Sequence, residues 1–113
     1  MLKKYRPASR VKGSTAFANY FTKLDKKSHI YKDIDSALMT LKRDCMAGVR
    51  IQQNIWPKIY VQKYGITNLF KFNLEEGFRL LYTVITDLDG LSVVVLESLN
   101  HKEYEKRFGY NVT

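Results

Sequence analysis

The stretch that decides the fold is "LFKFNLEEGFRLLYTVITD", residues 69–87. Two extended runs, 69–74 and 78–87, flank Glu75-Glu76-Gly77. A three-residue loop with glycine in its last, left-handed position joins antiparallel strands with a fixed register. That register sets Asn73 opposite Arg79 and Lys71 opposite Leu81. Side chains alternate along a strand, so Lys71, Asn73 and Arg79 share one face of the sheet. A two-residue loop would set Phe72 against Arg79 and dissolve this cluster.

Downstream, "DLDG" is a turn, and "LSVVVLESL", residues 91–99, is a β-branched third strand. The last two strands are apolar on both faces, as central strands covered by helices are. Asn100 followed by Glu103 has the spacing of a capping box, so "HKEYEKRFGY" opens a short helix that ends near Gly109. Tyr104 and Phe108, four apart, form its docking face. Glu103 and Arg107 have the spacing of a helical ion pair.

Upstream the pattern is helical. Ile30, Ile34, Leu38, Leu41 and Cys45 form one apolar stripe, with Lys42 and Arg43 near its C-terminal end and Gly48 as its stop. Phe17, Tyr20, Phe21 and Leu24 form another, with Ser14 as N-cap and "DKKSH" as the intervening turn. Together they read as a helical hairpin. Residues 3–11 could hold a short first strand, with Pro7 at an edge or irregular position. "IQQNIWPKIYVQKYGITN", residues 51–68, carries a proline, a glycine and scattered apolar residues, and reads as a loop or short edge strand. The fold class expected is α+β: an N-terminal helical hairpin on a small twisted antiparallel sheet, with a short C-terminal helix. At 113 residues the chain is expected to be one domain.

Composition narrows the function. Nineteen Lys and Arg against eleven Asp and Glu give a net charge of +8, which favours a polyanionic or acidic partner. One cysteine excludes an internal disulfide and a cysteine-based zinc site. No apolar run approaches the roughly 18 residues of a spanning helix, and no apolar segment follows the basic start, so a cytoplasmic protein without a membrane partner is expected. There is no phosphate-binding "GxxxxGK" loop, no "GxGxxG", no "HExxH" and no nucleophile elbow. The two histidines, His29 and His101, lie far apart without a carboxylate cage, so no metal and no cofactor are expected.

Basic and phenolic groups remain. Arg79 reads either as an anion clamp or as an edge arginine paired with Glu97 or a C-terminal carbonyl. "PKIYVQKYG", residues 57–65, interleaves Lys58 and Lys63 with Tyr60 and Tyr64. That suits stacking on bases while lysines hold phosphate. It equally suits amphipathic residues that pack on an edge with their amines in water. His101 reads as a group poised to move a proton or as a hydrogen-bonding residue of the helix cap.

The segments "PKIYVQKYGITNLFKFNLEEGFRLLYTV" and "HKEYEKRFGY", with the valine-rich strand between them, resemble the RelE/ParE toxin superfamily, most closely its archaeal-type RelE branch. The resemblance covers roughly residues 30–110. It implies a toxin neutralised by an antitoxin that covers its basic face. The implied activity is metal-independent cleavage of mRNA in the ribosomal A site, by attack of the message's own 2′-hydroxyl on the adjacent phosphate. The resemblance gives Arg79 the stabilisation of the pentacoordinate phosphate. His101 and Tyr104 receive acid chemistry and base stacking, with Tyr110 a second stacking residue. Lys58 and Lys63 fall where RelE-type enzymes place lysines and some relatives a glutamate base, and Lys71 would be a further phosphate contact. No carboxylate base is identifiable, because Glu75 and Glu76 lie in the hairpin turn. The alternatives are a ParE-like gyrase inhibitor or non-catalytic RNA-binding relative, and a structural ribosome-associated protein.

Overall fold

A computed structural model describes residues 4–109. The described residues form an α+β fold with four helices and a five-stranded mixed sheet. In chain order the elements are β1 (Arg10–Gly13), α1 (Thr15–Thr22), α2 (His29–Arg43), β2 (Val49–Arg50), α3 (Lys58–Tyr64), β3 (Phe70–Asn73), β4 (Arg79–Asp87), β5 (Gly90–Leu99) and α4 (His101–Phe108). The strand order is β1-β5-β4-β3-β2.

The expected antiparallel sheet is corrected in one respect. β3, β4 and β5 are consecutive antiparallel strands, but β1 pairs parallel with β5, from Arg10 opposite Ser92 to Gly13 opposite Val95. The first strand begins at the end of the expected stretch, at Arg10, and runs two residues past it to Gly13. The chain before it is tied down by backbone bonds from Ala8 to Lys42 and from Ser9 to Leu91.

The deciding hairpin has the expected register, with Asn73 opposite Arg79 and Lys71 opposite Leu81. Gly77 is left-handed at φ 78°, and Glu76 joins it at φ 57°. The loop is held from outside as well, because Asp33 of α2 accepts the Glu75 backbone N–H at 2.8 Å.

Each sheet face has its own core. On one face Leu80, Tyr82, Val93 and Val95 meet Phe17 of α1 and Ile34, Ala37 and Leu41 of α2. Phe21 of α1 stacks on Tyr31 of α2 at 4.7 Å. On the other face Leu81, Leu96 and Leu99 meet Tyr60 of α3 and Tyr104 of α4. A bulge fits both cores to one strand: Tyr82 pairs with Val95 while Leu81 pairs with Glu97, so Leu96 is the extra residue. The bulge turns Leu96 and Glu97 to the same face, the face of Leu81 and Arg79.

Two local readings are overturned. Residues 58–64 are a helix, not a loop or strand. Pro57 and Gly65 do not break structure here but bracket it: Pro57 is the N-cap residue and Gly65 the left-handed C-cap. Gly48 does not stop α2, which ends at Arg43. It sits where a Cβ would lie 2.5 Å from the Lys71 carbonyl oxygen and 2.7 Å from the Tyr82 hydroxyl. That hydroxyl accepts the Gly48 N–H and donates to the Cys45 carbonyl, each at 3.0 Å, which fastens the link from α2 to β2 onto the sheet.

Among the described residues no helix is long and apolar enough to cross a membrane.

A candidate cationic site at the start of strand β4

Topology gathers the site. Arg79, the first residue of β4, is paired with Leu99, the last residue of β5. One residue later the chain enters α4, so His101 emerges beside the hairpin loop. A Cβ built on Gly77 would lie 3.4 Å from the His101 Cβ. Arg79 donates from Nη1 to the Gly77 carbonyl at 2.8 Å. Arg79 thus bonds to Gly77, and His101 stands beside it.

The capping box anticipated for α4 is present. Asn100 accepts the Glu103 N–H and Glu103 accepts the Asn100 N–H, both at 2.8 Å. It fixes the helix start and sends Tyr104 under the sheet face. Tyr104 is 4% exposed and stacked on Phe108 at 4.5 Å. The Arg79 guanidinium lies over its ring at 4.3 Å and the Lys71 ammonium at 5.4 Å. A ring face attracts cations, so one phenol orients two cations from neighbouring strands. The Arg79 Nε is buried without a hydrogen-bond partner. Among the described residues neither Arg79 nor Lys71 has a carboxylate partner.

Glu97, opposite Leu81 and on the same face as Arg79, is engaged elsewhere. Glu97 accepts two hydrogen bonds from Arg107, at 2.9 and 2.8 Å, and one from the Tyr60 hydroxyl at 2.6 Å. Arg107 therefore pairs with Glu97, not with Glu103 as its helical spacing suggests. Burial first, and then the Glu97 carboxylate, push the Tyr60 phenol well above its ordinary range. Burial works against the Arg107 charge, but Glu97 outweighs it and raises the Arg107 pKa. This latch joins α3, β5 and α4.

The other expected site residues are dispersed. Tyr60, 1% exposed, presents no face to a base and is a latch residue instead. Tyr104 is likewise too buried to stack on RNA; it is the shelf beneath the cations. Lys58 and Lys63 are exposed on α3. The Lys63 ammonium lies 5.4 Å over Tyr64, and no contact joins Lys58 to Arg79. The His101 ring is exposed, with Nε2 directed at Glu105 Oε2 at 3.0 Å. Tyr110 lies outside the described residues. A cavity of about 400 Å³ on the α1 side of α4 is lined by Tyr20, Glu97, Ser98 and Arg107 and includes neither Arg79 nor His101. Among the described residues no three His, Cys, Asp or Glu side chains converge as a metal site.

No protein-family model, curated protein or solved structure matches the chain.

Proposed function

We propose that the protein is a RelE-like toxin: an endoribonuclease that cuts mRNA in the ribosomal A site in the cytoplasm and is silenced by an antitoxin protein. In this reading α1 and α2 are the helical hairpin of the RelE-type fold. The observation that carries it is the pair of carboxylate-free cations, Arg79 and Lys71, oriented over one buried phenol, with His101 at the start of α4 beside the hairpin loop. Such a corner is built for an anion that gains charge. The message's O2′ bonds to phosphorus, the P–O5′ bond breaks, and the products are a 2′,3′-cyclic phosphate and a 5′-hydroxyl. Fixed cations stabilise the pentacoordinate phosphate between them, and such preorganised charge typically lowers the barrier more than any other single effect. Lys71 holds a non-bridging or neighbouring phosphate oxygen, the 2′-hydroxyl proton passes to water as O2′ attacks, and His101 gives a proton to O5′ as the P–O5′ bond breaks. Lys58 and Lys63 contact the strand or the ribosome away from the scissile phosphate.

A second reading, a non-catalytic RelE/ParE-like binder, draws on the burial of Tyr104 and the engagement of His101 with Glu105. Cell-free translation with toe-printing separates the two. The toxin reading expects the message to be cut by the wild type and about 10²–10³-fold more slowly by Arg79→Ala, the usual loss when one charge-stabilising donor is removed. Equal message integrity with both proteins and undiminished translation would sink it.

A further inference from the structure

At the other end of β3 from Asn73 lies a cavity of about 330 Å³, lined by Arg50, Ile51, Gln52, Gln53, Trp56 and Thr67. Its lining combines an indole and two side-chain amides with one guanidinium. Trp56 donates from its indole N–H to the Ile51 carbonyl at 2.9 Å, which fixes the ring and leaves its surface half-exposed. Arg50 is held over the Phe70 ring at 5.5 Å. Gln52 and Gln53 are exposed and their amides make no bond within the described residues. No carboxylate lines the cavity. Side-chain amides both donate and accept, as reading the edge of a splayed base requires, and an indole supplies the stacking plane. Position adds to chemistry. Arg50 follows Val49, and Val49 is paired with Lys71, so the cavity adjoins the strand that carries the cationic corner.

We propose that this cavity is a nucleobase subsite for single-stranded RNA, with Trp56 as the stacking plane and Gln52 and Gln53 as readers of the base edge. The ligand class rests on the RNA reading of the Arg79 corner; cleavage itself is not required. Trp56 is the only tryptophan in the chain, so its fluorescence reports the site directly. The protein is titrated with short oligoadenylate, oligouridylate and oligocytidylate RNA, and in parallel with AMP, UMP and CMP. Binding is followed independently by anisotropy of labelled RNA.

The expected result is saturable quenching by RNA at concentrations where the mononucleotides quench little. Affinity should differ among the three homopolymers, and Gln52→Ala with Gln53→Ala should erase that difference while quenching persists. Trp56→Ala should weaken binding roughly 5- to 150-fold, the range of one base–aromatic stack. The glutamine variants are surface changes and keep the test valid if Trp56→Ala fails to fold. RNA binding without quenching overturns the subsite, as does no RNA binding at all. Equal quenching by mononucleotides overturns the strand as its source. Quenching by RNA with no message cleavage upholds the subsite and removes the toxin reading instead.

Discussion

Arg107→Leu, Glu97→Leu and the double variant test the latch that holds α4 against the sheet. Glu97 and Arg107 side chains are 21% and 32% exposed, so the pair is mostly out of water. Removing one partner from a buried pair costs about 3–5 kcal/mol, and the residual exposure here lowers that to about 2–3 for Arg107→Leu. Glu97→Leu strands both the Arg107 charge and the Tyr60 hydroxyl, for about 3–4 kcal/mol. In the double variant the ion pair is replaced by apolar contact, which is close to neutral. Only the Tyr60 hydroxyl remains unpaired, at about 1–2 kcal/mol. The double variant should therefore be more stable than Glu97→Leu alone. Urea unfolding at constant m-value measures the cycle. A double variant whose loss equals the sum of the single losses would show that the residues do not act as a pair, and the latch would have to be abandoned.

Tyr82, raised first of all by burial, titrates at about 12 when folded, against about 10 unfolded. Its contribution is complete below pH 10 and is lost as pH rises to 12, because the unfolded chain releases the proton first; the shift corresponds to roughly 2–3 kcal/mol. Tyr82→Phe should flatten the alkaline fall in stability measured by denaturant titration between pH 10 and 12, and an unchanged slope would contradict this. Gly48→Ala drives a Cβ against the Lys71 carbonyl and should cost about 1–3 kcal/mol, read as a lowered melting temperature. Asn100→Ala opens the capping box and should cost about 1 kcal/mol, with faster amide exchange in α4 as the check on its location.

The hairpin register is legible in the sequence because one glycine decides it, and a register fixes every side chain that follows. The α4 cap is legible for the same reason: Asn100 and Glu103 are local to each other. Long-range pairings are not. Nothing in "RVKG" tells whether its partner runs parallel or antiparallel. α3 escapes a reading by period because seven residues are too few to establish one, and Pro57 and Gly65 look alike as breakers and as brackets. Their order, proline at the start and glycine at the end, is the available signal. At the site, Arg79 and Lys71 come together through the register, and the cap sets His101 beside the hairpin loop. Tyr104 is buried on the docking face that its spacing with Phe108 predicts, which removes it from the stacking role the resemblance implies; Tyr60 departs from its expected role because an aromatic between lysines looks the same whether it faces solvent or core. The role of Glu97 is hidden by the bulge at Leu96, which reverses the face that simple alternation gives it.

The most direct measurement uses a message with a single 2′-deoxynucleotide immediately 5′ of the scissile phosphate mapped on the all-ribose message. Both messages are translated with the purified protein and their ends mapped. Attack by the message's own hydroxyl predicts cleavage of the all-ribose message to a 2′,3′-cyclic phosphate and a 5′-hydroxyl, and none at the substituted position. Cleavage at that position in both messages would contradict the mechanism, and cleavage of neither would leave the Arg79 corner a binding surface only.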